Sequence, residues 1–125
     1  MKTKNQFALA CFILFLAVAI GAFGAHALKD IVIGKYLITF KTGGRYHFYH
    51  GLALLMTATF NKLWGNLFLK SYYLFLAGII LFSFNCYLYG ITHLKVFAMI
   101  IPLGGISFLI AWALMTFTFL KKDLK

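Results

Sequence analysis

Only two of the 125 residues are acidic, Asp30 and Asp123, and neither lies inside an apolar run. That scarcity excludes the paired carboxylates of a glycosidase, the acidic clusters that hold magnesium, and the intramembrane carboxylate relay of many proton-coupled carriers. Charged residues of both signs make up 11% of the chain, against the roughly one quarter with which a soluble domain solvates its surface. The two cysteines, Cys11 and Cys86, lie within apolar runs and form no CxxC. They read as small packing residues, and no disulfide framework can be drawn from one distant pair. No long hydrophilic segment, repeat or linker divides the chain, which leaves a single transmembrane domain, 1–125.

What remains is apolar. Hydrophobic residues make up 63% of the chain, so the solvent of this fold has to be lipid, and an all-α membrane protein is expected. Four spans are predicted at about 7–28, 44–61, 68–90 and 96–120. Lys2, Lys4 and Ala25-His26-Ala27 resemble the flanks of a signal peptide. The first run nevertheless exceeds the roughly 7–15-residue core of such a segment and reads as a retained helix. Between the first two spans, Val32, Ile33, Tyr36, Leu37 and Phe40 fall at helical spacing, with Lys29, Asp30, Lys35 and Lys41 off that stripe. This predicts a short amphipathic helix over 30–41, lying in the interface. The expected architecture is a four-transmembrane-helix bundle with that short interfacial helix between helices 1 and 2.

Twelve basic residues against two acidic ones give a formal net charge of +10. The bases sit at the ends of apolar runs and form no basic stripe with interleaved aromatics, so membrane lipids are the expected anionic partner and nucleic acid is not. Four crossings place both termini on one side with Lys2, Lys4, Lys62, Lys70, Lys121, Lys122 and Lys125. Lys29, Lys35, Lys41, Arg45 and Lys95 fall on the other. The excess sets both termini in the cytoplasm of a multi-pass plasma-membrane protein.

Burial of apolar surface does not drive helices together in lipid; close approach through small residues does. The first helix offers Ala17, Gly21, Gly24 and Ala25, the fourth Pro102, Gly104 and Gly105, and Pro102 should kink or locally open its helix. Alternating helix direction brings His26, His47, His50, Ser83 and Asn85 into one half of the membrane, opposite the termini. Buried His and Asn are costly in lipid, so this layer is the candidate site. Its plain alternative is a hydrogen-bond cluster that locks the helices. His47 and His50 share a face at i, i+3, with His26 adjacent, which sketches a metal or haem site. No carboxylate is present to orient them, so no metal, cofactor or catalytic residue is assigned.

Four stretches stand in order: GAFGAHALK from Gly21, RYHFYHGLALL from Arg45, LFSFNCYLY from Leu81 and IPLGGISFLIAWALM from Ile101. Together they resemble domain-of-unknown-function family 423, small membrane proteins, over nearly the whole chain. The resemblance implies a multi-pass protein, in bacteria of the inner membrane, with no agreed activity. The family's positions fall on Gly21, Gly24, His26, Tyr46, His50, Phe82, Ser83, Tyr87, Pro102, Gly104, Gly105 and Trp112. His47 stands where the family usually has Gln, and Phe84-Asn85 where a Gly-Ser pair is common.

Three functions follow from the layer. A non-enzymatic structural, interaction or accessory membrane protein, packing against lipid, a membrane-protein partner or a further copy of itself, predicts a dry, self-bonded layer. An oligomeric transporter or channel subunit for a small molecule or ion predicts a water-filled one. A metal- or haem-binding protein would use His26 and His50. The first is the expectation, and no enzymatic activity is expected.

Overall fold

The computed structural model describes residues 1–124; Lys125, counted above among the terminal bases, lies outside the described residues. The described residues form four long helices and no strand: α1 (Thr3–His26), α2 (Gly34–Leu63), α3 (Leu69–Thr92) and α4 (Lys95–Lys121). α1, α3 and α4 are long and apolar enough to cross a membrane. α2 is the longest at 30 residues, but Lys35, Lys41, Arg45 and Lys62 make it less apolar.

No separate interfacial helix forms. Residues 34–41, expected to lie in the interface, are the first turns of an uninterrupted α2. The reason is a single buried stripe that begins at Phe40, before the glycine pair, and stays in phase to Asn61. Phe40, Gly43, His47, His50, Leu54, Thr57 and Asn61 are all buried at spacings of three and four. The glycine pair at 43–44 does not break it, because Gly43 is where the backbone of α3 approaches. A Cβ there would meet Cys86 Cβ and the Ser83 carbonyl.

The turns are short and locally determined. Between α1 and α2, the amides of Ile31 and Val32 both reach the Leu28 carbonyl at 3.1 and 2.9 Å, tucking Leu28 and Val32 into the interior. α2 stops before Gly65, whose φ of +66° suits glycine, while the Asn66 amide bonds back to the Asn61 carbonyl at 2.9 Å. This is a Schellman-type stop. His93 ends α3 in the left-handed region (φ 60°), its ring stacked on Tyr36 at 3.7 Å.

Neighbours in sequence are neighbours in space. α1 runs antiparallel along α2, from Gly24 against Phe40 through Gly51 against Leu14 to Gln6 hydrogen-bonded to Asn61. α3 packs on α2 through Gly43, and α4 on α3 through Gly104. α2 and α4 meet only by long side chains, such as Phe60 with Phe119 at 5.3 Å. The core runs along α2 and α3, with Leu54, Phe68, Tyr72, Phe75 and Ile79 fully buried.

Pro102 does not open its helix; α4 continues through it from Lys95 to Lys121. The local irregularity lies opposite, in α3, where Ile79–Phe84 is wound as a π-turn. Gly104 rests directly on the Phe82 amide and the Leu81 carbonyl carbon of that turn. A π-turn amounts to one extra residue in the helix, so it rotates everything after it relative to what precedes.

Candidate functional site

The π-turn aims α3 at the polar residues of α2. His50 is 5% exposed, and both of its ring nitrogens are used. The indole N–H of Trp112, which can only donate, reaches His50 Nε2 at 3.1 Å. Nε2 is therefore the acceptor, so Nδ1 carries the proton and donates it to the Tyr46 carbonyl at 2.9 Å. Phe108 stacks flat on the imidazole, 3.5 Å between centroids and 10° between planes. One histidine thus joins α2 to α4, in its neutral form, with no lone pair left for a metal.

One turn before it, His47 is fully buried and its Nδ1 lies 2.8 Å from the Tyr87 hydroxyl on α3. Its Nε2 is buried and meets no hydrogen-bond partner. Ser83 Oγ, fully enclosed at the α2–α3 contact, also has no partner. Asn85 is spent on its own helix. Its amide donates to the carbonyls of Ile80 and Leu81 at 3.1 and 3.0 Å, capping acceptors of the π-turn.

The expected layer is therefore partly assembled. His47, His50, Ser83 and Asn85 are all buried, but His26 is exposed at the end of α1 and joins none of them. A His26–His50 metal site is not formed, and among the described residues no three His, Cys, Asp or Glu side chains cluster as ligands. Of the expected packing residues, Ala17, Gly24 and Gly104 are buried at helix contacts. Gly21, Ala25, Pro102 and Gly105 instead line grooves on the flank of the protein.

A second polar cluster at the opposite end is not among the expected residues. Gln6, fully buried, donates through Nε2 to the Met1 carbonyl at 3.1 Å and to Asn66 Oδ1 at 2.9 Å. Its Oε1 accepts from Asn61 Nδ2 at 2.8 Å, and its main-chain carbonyl accepts from the Tyr72 hydroxyl at 2.8 Å. Asn61 Oδ1 in turn takes the Phe68 amide at 2.7 Å. This clasp ties α1, α2, the α2–α3 turn and α3 together. The depth argument that found the histidines would also have found it, since Gln6 and Asn61 stand at the same end of their spans.

Two grooves flank these elements. One, of about 640 Å³, opens between α2 and α4 over the π-turn. Tyr46, His50, Phe82, Pro102, Gly105 and Trp112 line it, all of them positions that carry the family resemblance. The other, about 660 Å³, lies between α1 and α2, with Gly21, Gly24 and Ala25 beside Phe48 and with Lys41 and Arg45 at its edge.

Comparison with known proteins agrees with this membrane setting. Residues 20–105 match the model of the family described as "Protein of unknown function (DUF423)". The chain is 40% identical over 108 residues to UPF0382 membrane protein YwdK of Bacillus subtilis, covering 85% of this chain and 88% of the relative. It is 36% identical over 108 residues to UPF0382 inner membrane protein YgdD of Escherichia coli K12, covering 81% and 78% respectively. To UPF0382 membrane protein SAB0533 of Staphylococcus aureus it is 38% identical over 106 residues, covering 80% and 82%. No solved structure matches.

Proposed function

As the chain belongs to the family described as "Protein of unknown function (DUF423)", we propose that it is a non-catalytic accessory protein of the bacterial plasma membrane. In this reading it crosses the bilayer four times, keeps both termini in the cytoplasm, and acts through its lipid-facing flanks. The fourth crossing is α2. At 1.5 Å per residue its 30 residues reach about 45 Å, more than the roughly 30 Å hydrocarbon core. Its antiparallel contact with α1 from Gly24 to Gln6 supports the same reading, since two helices lying side by side over their length share one depth.

The carrying observation is His50. A histidine whose two nitrogens are both satisfied by Tyr46 and Trp112, under a stacked Phe108, suits a lock between helices better than a proton carrier or a metal ligand. The test is hydrogen–deuterium exchange of the Trp112 indole N–H, followed by NMR in mild detergent. A dry lock predicts slow exchange. It also predicts that Trp112→Phe, which leaves Nε2 without its donor, lowers stability by about 1 kcal/mol, the upper range for hydrogen bonds between membrane helices. His26→Ala, at an exposed position, should leave the thermal midpoint unchanged. Fast indole exchange would sink the lock.

A second reading, an oligomeric transporter or channel subunit, is favoured by one observation. His47 Nε2 and Ser83 Oγ are buried without partners in the same layer, and enclosed polar atoms of that kind are where water or a polar solute would be held. Fast indole exchange together with a defined oligomer would move the function there.

A further inference from the structure

The groove between α1 and α2 carries two positive charges, one of them well inside the end of α1. Interpolating between the Gly24–Phe40 and Leu14–Gly51 contacts places Arg45 at the level of Ala19 and Ile20 on α1, and Lys41 at that of Phe23 and Gly24. Arg45 is thus about 10 Å in from the end of α1. Lys41 and Arg45 stand at i, i+4 on one face of α2, and both line the groove. The Arg45 guanidinium is braced by one hydrogen bond, to Thr42 Oγ1 at 3.1 Å.

A cation below the headgroup level needs an anion or water, and the chain supplies no anion there. Its only acidic residues, Asp30 and Asp123, lie in the 27–33 turn and the C-terminal tail, and no carboxylate lines the groove. Apart from the tyrosines Tyr49 and Tyr87, the rest of the lining is apolar and narrow-floored, Gly21, Gly24 and Ala25 against Phe48. Gly21 is open toward the groove, with only the Phe48 ring at 3.9 Å from where its Cβ would stand. A long apolar chain with one negative charge at its upper end is the chemistry that complements both halves.

We propose that this groove is a specific site for an anionic glycerophospholipid, its phosphate held by Lys41 and Arg45 and one acyl chain lying along Gly21, Gly24 and Ala25. A zwitterionic lipid brings its own cation and would meet two more. A second copy of this chain, with a net charge of +10, has no acidic face to offer. The site rests on the reading of α2 as a membrane crossing, and it specifies what one of the proposed working flanks binds.

The experiment is native mass spectrometry of the full chain in mild detergent, titrated in parallel with palmitoyl-oleoyl phosphatidylglycerol and phosphatidylcholine. Two cations on one phosphate imply roughly 30-fold tighter retention of the first lipid. K41Q/R45Q should erase that preference, while the control K35Q/K95Q, which removes the same charge from the same end of the protein, keeps it. Gly21→Leu should weaken both lipids by filling the acyl track. Because Lys41 and Arg45 are exposed, the charge variants are expected to fold; K41R/R45K, which keeps both charges, should retain the preference. Equal retention of the two lipids, an equal loss in K35Q/K95Q, or a dimer that excludes lipid would each overturn the site. Indole exchange at Trp112 is independent of these outcomes. A dry layer with no lipid preference removes only the site, and a preference with a wet layer removes only the non-catalytic lock.

Discussion

Trp112 and Gly104 act on α2 and α3 in opposite ways, one by reaching and the other by having nothing to reach with. Gly104 lets α4 rest on the backbone of the π-turn, where a side chain would meet the Phe82 amide and the Leu81 carbonyl carbon. Backbone cannot move aside as a side chain can, so Gly104→Val should cost at least about 3 kcal/mol. Its neighbour faces open groove, the Phe82 ring being 3.9 Å away. Gly105→Ala should therefore be neutral or stabilise by up to about 1 kcal/mol, the helix-propensity difference. Thermal unfolding in one detergent compares the two directly. At this scale the sequence shows residue type and depth but not rotation. Reading depth from span ends sets His26 and His50 together, yet His50 lies level with the middle of α1, beside Leu14 and Gly51, and only the two histidines on α2 turn inward. Trp112, which decides the state of His50, lies 62 residues away from it, and no local pattern pairs them.

The elements are legible where their periodicity is strong and misread where charge interrupts it. α1, α3 and α4 follow from long apolar runs. α2 appears as two pieces because Lys35 and Lys41 beside an apolar stripe read as an interfacial helix, and only the approach of Ser83 and Cys86 explains why a glycine belongs mid-helix at Gly43. The π-turn leaves no comparable trace. It becomes intelligible only with Asn85 folded back onto the Ile80 and Leu81 carbonyls. At the other end, the Gln6–Asn61 clasp gives an element-scale prediction. Gln6→Ala and Asn61→Ala should each lose about 1–3 kcal/mol, because each leaves buried amide groups unpaired. The double variant should fall short of the summed losses by about 1 kcal/mol, since both remove the same bond. Chemical unfolding of the four proteins closes that cycle, and strict additivity would mean that the two amides act independently.

For the whole molecule, depth and handedness reduce to which turns lie on which side. Alkaline phosphatase fused after Ile33 should be active, and fused after Asn66 inactive, if α2 returns the chain to the cytoplasm. Activity at both junctions would place α2 on the surface and leave three crossings. The clasp has a further consequence for biosynthesis. When the translocon has released α1 and α2 but the ribosome has not yet added α3, Gln6 and Asn61 already face each other. The Asn61 side-chain oxygen still lacks the Phe68 amide, and the Gln6 main-chain oxygen lacks the Tyr72 hydroxyl. The α1–α2 pair therefore has open valences at the end that carries the N-terminus, and the opening turn of α3 is what closes them. The second half of the protein thus completes the hydrogen bonding of the first.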